Sequence, residues 1–139
     1  MFLLDTNVVS ELRKAKPHGG VVAWVSGQSA TSLYLSAMTI GELQRGVEMT
    51  REQDGEKATQ IEAWIDQLMY TGQVVPMDGG ICREWARLMH RRPDTLAEDA
   101  FIAATARMRG LSVVTRNVRD FRMFDVKTFN PFERNKDIQ

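Results

Sequence analysis

One cysteine, Cys82, and two histidines, His18 and His90, are the only thiol or imidazole side chains in 139 residues. That scarcity excludes an internal disulfide and argues against a cysteine-based metal centre. Cys82 reads as a small buried apolar residue and the compartment as a reducing one. Long apolar runs are missing as well. No segment approaches the length of a membrane span and no charged leader precedes an apolar stretch, so a soluble, cytoplasmic protein with no membrane partner is expected. Charge of one sign is also lacking, because 18 Lys and Arg residues balance 18 Asp and Glu. A globally basic nucleic-acid binder is therefore excluded, and a polyanionic partner must be held by a local patch.

What is present is patterned. Phe2-Leu3-Leu4 is an apolar run that stops on Asp5. This is the signature of a strand buried on both faces of a parallel sheet, with an acid at the end where open α/β sheets bind ligands. Asn7 to Leu12 follows as a short helix, closed by a loop over Pro17, His18, Gly19 and Gly20. Val21 to Val25 reads as a helix ending near Gly27, and Ser32 to Ser36 as a second strand. Thr39-Ile40-Gly41-Glu42 has capping-box spacing, so a helix is expected to start at Thr39, with Glu42 in its first turn and Ile40, Leu43 and Val47 as its apolar stripe. Beyond a polar break at Asp54-Gly55, Ile61, Trp64, Ile65 and Leu68 define a helix that should pack on it as a hairpin.

Gln73 to Met77 is the third strand, with Pro76 near its end. Ile81, Trp85, Leu88 and Met89 stripe a helix stopped by Arg91-Arg92-Pro93. Thr95-Leu96-Ala97-Glu98 repeats the capping-box form, and an alanine-rich helix runs from it to Gly110, suited to close approach to a sheet. Leu111 to Thr115 is the fourth strand and Val126 to Phe129 a fifth. Strands alternating with helices predict an α/β fold with a parallel sheet between helical layers. One domain is expected over residues 1–132, with a polar tail over 133–139.

Residues that carry chemistry fall at corresponding ends of these elements. Asp5 ends the first strand, Glu42 follows the second, Asp99 opens the helix before the fourth, and Asn117 and Asp120 follow the fourth. In a parallel sheet these positions share one edge. Acids gathered there repel one another unless a cation neutralises them, and oxygen ligands without His or Cys select Mg2+ or Mn2+. Such a centre suits phosphodiester hydrolysis by metal-activated water. Each residue alone also has a local reading: Asp5 as a helix cap, Glu42 and Glu98 as capping-box partners, Asn117 and Asp120 as turn residues. Their common placement is what points to a site. Trp24, Trp64 and Trp85 lie on apolar stripes and belong to the core or a subunit interface. Arg83, Arg87, Arg91 and Arg92 read as a solvated face, and no catalytic histidine is expected.

Four segments, Leu3 to Asn7, Ser36 to Leu43, Glu98 to Ala106 and Val114 to Phe121, together with Asn130-Pro131-Phe132, resemble in order the PIN-domain ribonucleases. Within that family the chain looks like the VapC/FitB-like toxins of bacterial type II toxin-antitoxin modules. The resemblance implies a three-layer α/β/α sandwich with a mainly parallel five-stranded sheet in the order 3-2-1-4-5. It also implies a Mg2+-dependent endoribonuclease, homodimeric and inhibited by a cognate VapB/FitA-like antitoxin, meeting operator DNA only through that antitoxin. Carried over by position, Asp5, Glu42 and Asp99 are the catalytic metal-site carboxylates. The fourth metal position, often aspartate in the family, is Asn117, whose amide oxygen can coordinate but brings no charge; Asp120 takes over part of that role. Thr6 and Thr115 hold the acids in orientation, and Arg116 and Arg119 suit RNA phosphates. Two other readings stand beside this one. The first is a binding component that represses transcription with a DNA-binding antitoxin. The second is a phosphatase of the haloacid dehalogenase type, which wants a second Asp where the chain has Asn7.

Overall fold

Parallel strands covered on both faces need consecutive apolar residues, and the central strand has them. In the computed structural model, which describes residues 1–133, β1 (Phe2–Leu4) lies between β2 (Leu33–Ser36) and β4 (Ser112–Val114). The edges are β3 (Val74–Val75) and β5 (Thr128–Phe129), giving the order β3-β2-β1-β4-β5 with every pair parallel. Successive side chains of β1 go to opposite faces. Leu3 packs with Val113, Ala100, Ile102, Ala103 and Phe121. Leu4 packs on the other side with Leu35, Val114, Val8, Val9 and Val21. The tail expected over 133–139 lies outside the described residues from position 134.

Among the described residues seven helices supply the two outer layers: α1 (Thr6–Arg13), α2 (Gly19–Ser26), α3 (Ala37–Arg51), α4 (Gly55–Thr71), α5 (Gly79–Met89), α6 (Ala97–Arg109) and the short α7 (Val118–Phe121). α3 and α4 form the expected hairpin around Val47, Ala58 and Ile65. α6 turns Ala100, Ala103 and Ala106 to the sheet, side chains small enough for its backbone to come close. Trp85 stacks on Phe101 at 4.5 Å and donates to the Ala97 carbonyl, and Trp24 sits between Phe2 and Phe129, so both serve the core. No helix among the described residues is long and apolar enough to cross a membrane.

Three helix starts differ from expectation. The chain turns from β2 directly into α3, so Ser36 at the strand's end is the cap, its hydroxyl accepting from the Met38 N–H at 3.0 Å. Thr39 is thus inside the helix and fully buried, and Glu42 stands in the second turn, not the first. α6 emerges from a 3-10 turn over Asp94–Leu96, and Leu96, which has no capping side chain, takes the N-cap; the Thr95–Glu98 box does not form. α2 starts at Gly19 within the expected loop, because the His18 ring caps it, Nδ1 accepting from Gly20 and Val21 at 3.1 and 3.4 Å. Cys82 is half-buried beside the Met77 carbonyl and is not a core residue. Of the arginines expected to face solvent, Arg87 pairs with the buried Glu84, and Arg92 lies over the Phe124 ring and donates to the Met123 carbonyl.

Gly20 sits where this cap meets the end of the described chain. A Cβ there would stand 2.9 Å from both His18 Cε1 and the Pro131 carbonyl oxygen. Gly20→Ala is therefore expected to destabilise the protein by about 1–3 kcal/mol through overpacking, read as a lowered Tm. An unchanged Tm would show that the His18 cap and the Pro131 segment are not in contact in solution.

Candidate active site

A carboxylate taken out of water needs donors, and Asp5 finds three. It is 5% exposed at the point where β1 turns into α1. Its Oδ1 accepts from the Thr6 N–H at 2.8 Å, and its Oδ2 from the Thr115 hydroxyl at 2.8 Å and the Asn7 amide at 3.2 Å. Capping and site therefore coincide in one residue. Thr115 is fully buried just past β4, and its hydroxyl also accepts from the Asn117 N–H at 3.0 Å. Asn7 closes a second tie, its Oδ1 accepting from the Arg116 N–H at 3.2 Å. The turns after β1 and β4 are thus fastened together around the acid.

Glu42 reaches the same place from α3. The Thr6 hydroxyl donates to its Oε1 at 2.7 Å and lies 3.0 Å from the Thr39 hydroxyl, which fixes the glutamate from below. Asp99, half-buried in the first turn of α6, completes the group from the opposite helical layer. There the helix dipole favours negative charge.

The electrostatics are one-sided. Burial raises the Asp5 pKa above the ordinary range, and the Asp120 charge adds to the rise, against hydrogen bonds from Thr115, Thr6 and Asn7 that lower it. Burial, with a hydrogen bond and charge from Glu98 and the charge of Asp5, pushes Glu42 up to about 7 despite the Thr6 hydroxyl. Burial and the charges of Asp5, Asp120 and Glu98 raise Asp99 to about 6. The charged groups that shift these three carboxyls are all acids.

The remaining candidates lie around this group. Asn117 precedes α7 and lines an open cleft of about 460 Å³ with Arg116, Arg119, Asp120, Arg122 and Asn130. Of the two turn residues, Asp120 is the one whose charge reaches both Asp5 and Asp99. Two participants escaped the sequence reading. Glu98 looked like a capping partner, yet its carboxyl faces Glu42 and pairs with Arg45 at 3.2 Å. Asn7 was only part of a motif; its position two residues past Asp5, on the first turn of a helix that Asp5 caps, was the available signal.

The chain is similar to known proteins in sequence and in fold. The PIN domain profile matches residues 2–127. Toxin FitB of Neisseria gonorrhoeae is 34% identical over 139 residues, covering 95% of this chain and 99% of its own. VapC ribonuclease Y4jK of Sinorhizobium fredii is 35% identical over 140 residues, covering 96% and 99%. A solved structure of FitAB bound to an IR36 DNA fragment superimposes with a TM-score of 0.82 at 33% identity, covering 96% of each chain.

The raised pKa values have a measurable consequence. An acid whose folded-state pKa is raised favours the fold while protonated, so that stability is present below its ordinary pKa and is lost as pH rises through the folded value. For Glu42 the window runs from 4.5 to about 7, and for Asp99 from 3.8 to about 6. Glu42→Gln and Asp99→Asn should therefore gain Tm over the parent protein progressively across those windows in metal-free buffer. A difference in Tm that stays flat with pH would refute the crowding of acids.

Proposed function

Since the chain belongs to the PIN-domain family, we propose that it is the ribonuclease toxin of a toxin-antitoxin pair, an endoribonuclease that works with Mg2+ or Mn2+. The observation that carries this reading is the set of three carboxyls at one sheet edge, each with its pKa raised and none relieved by a neighbouring cation. The donors are all oxygen, which suits a hard divalent ion. Among the described residues no three His, Cys, Asp or Glu side chains are placed together so as to hold a metal ion, and a magnesium ion that keeps several waters needs only one or two protein carboxylates. Asp5, Glu42, Asp99 and the Asn117 amide oxygen are the groups that would hold it. A cation bound there would acidify water and stabilise the charge on the leaving oxygen.

The chain's own side chains do the positioning. Thr115, Thr6 and Asn7 orient the Asp5 carboxylate, and Thr6 fixes Glu42 Oε1. Glu42, at about 7 with no cation present, would give up its proton when a cation binds. Arg116 and Arg119 line the adjoining cleft and offer charge to phosphates. The names of FitB, a toxin, and Y4jK, a VapC ribonuclease, support toxin and nuclease together. The FitAB structure on DNA favours a second role, in which this chain sits on operator DNA through its antitoxin.

Purified chain, free of antitoxin, should cut RNA to leave 5′-phosphate and 3′-hydroxyl ends, and EDTA should stop it. A 2′,3′-cyclic phosphate product, or cleavage that persists in excess EDTA, would sink the mechanism. Thr115→Val should cost about 10–100-fold in rate, as expected for a residue that orients a ligand. Asp5→Asn should cost more, with circular dichroism unchanged. Growth arrest on expression should disappear with Asp5→Ala; arrest that survives would place the chemistry elsewhere.

A further inference from the structure

Asn130-Pro131-Phe132, a motif of the sequence, takes no part in the carboxyl group around Asp5. The Glu133 N–H donates to the Asn130 carbonyl at 3.3 Å and closes these residues into a turn, with Pro131 at the position where proline pre-sets the backbone. Asn130 fastens the turn on both sides. Its Oδ1 accepts from the Phe132 N–H at 2.9 Å, and its Nδ2 donates to the Arg116 carbonyl at 3.3 Å. The Phe132 ring meets two groups. The Arg116 guanidinium lies over it at 4.0 Å, and the His18 ring stands 5.1 Å away, tilted by 57°. His18 is itself held, since its Nδ1 caps α2 and its backbone N–H donates to the buried Glu11 at 2.9 Å.

Arg116 is therefore an exposed arginine fixed at three points. Its N–H donates to Asn7, its carbonyl accepts from Asn130, and its guanidinium rests on Phe132. Arg119 and Arg122 line the same cleft, yet among the described residues neither lies over a ring. Among the described residues Arg116 takes part in no ion pair, so its charge is unclaimed. A side chain ordered before binding loses less freedom when it binds. A guanidinium stacked through its face also keeps the N–H fork at its edge for a phosphate, which an ammonium cannot do.

We infer that Phe132 is a positioning residue for RNA binding: with Asn130 fixing its turn and His18 beside its ring, it holds the Arg116 guanidinium in the cleft with the N–H fork open to a phosphate. Phe132 acts on the RNA only through that arginine. The inference rests on the nuclease reading above and adds to it the segment that follows β5.

The first half of the test reads the free protein, without metal or RNA. In the NMR spectrum the side-chain CH2 protons of Arg116 should lie upfield of their free-chain positions, shifted by the Phe132 ring current. Phe132→Leu, which keeps an apolar side chain and removes the ring, should abolish the shift; Phe132→Tyr should keep it, and Asn130→Ala should reduce it. The second half measures cleavage of a short unstructured RNA in Mg2+. Phe132→Leu should lower kcat/KM about 2–5-fold, the size of an exposed cation–π contact, and chiefly through KM, as for a contact made equally before and in the transition state. Phe132→Tyr should restore the parent value. In an Arg116→Met background Phe132→Leu should cost nothing further. Unshifted Arg116 protons in the parent protein, or an equal loss from Phe132→Leu with and without Arg116, would overturn the positioning role while leaving the nuclease standing. A parent protein that shows the shift but leaves RNA uncut would overturn the nuclease reading, and the positioning role with it.

Discussion

A single buried carboxylate, held only by neutral donors, is the constraint around which this molecule is arranged. Asp5 receives a backbone N–H, a hydroxyl and an amide, and no positive charge. Each donor comes from a different structural commitment: the start of α1, the residue past β4, and the side chain two positions along the first helix. Removing any of them leaves a buried charge short of a partner, which costs more than the bond itself contributes. The central strand, its pairing with β4 and the entry into α1 are consequently tied to one atom pair. Burying uncompensated acids opposes folding, so the apolar faces on both sides of β1 offset what the edge costs.

The two helical layers play unequal parts at that edge. α3 delivers Glu42 from the second turn of a helix, over a buried threonine that braces it from below. α6 delivers Asp99 from its first turn, and its alanines let the helix settle on the sheet near enough for Asp99 to feel Asp5. Bulkier residues at Ala100 or Ala103 would lift the acid away from its neighbours. Packing on one face of the sheet and electrostatics at its end are therefore the same design problem.

Much of this was visible in the residues alone, for a definite reason. Buried parallel strands announce themselves as apolar runs, so β1, β2 and β4 and the acids that follow them could be placed by inspection. Strand order could not, because parallel pairing is set by long-range contact; the order 3-2-1-4-5 came from the resemblance to PIN domains, and the structure bears it out. The start of α3 differs from expectation because two hydroxyls compete for one cap. Ser36 and Thr39 are equally good caps locally, and the fold decides between them by giving the Thr39 hydroxyl a partner in Thr6. Glu98 has the spacing of a capping partner, and nothing local says that its carboxyl will find Glu42 and Arg45 before its own backbone. His18 as a cap has no local signature strong enough to outweigh the Pro-Gly-Gly context around it.

The bond from Thr115 to Asp5 spans 110 residues of sequence. During synthesis the acid is made 110 residues before the hydroxyl that orients it. Arg116 waits longer still, for the ring of Phe132. A fragment released early therefore carries the acid but not its setting. The order of synthesis therefore leaves the acid without its setting until the residues that orient it have been made.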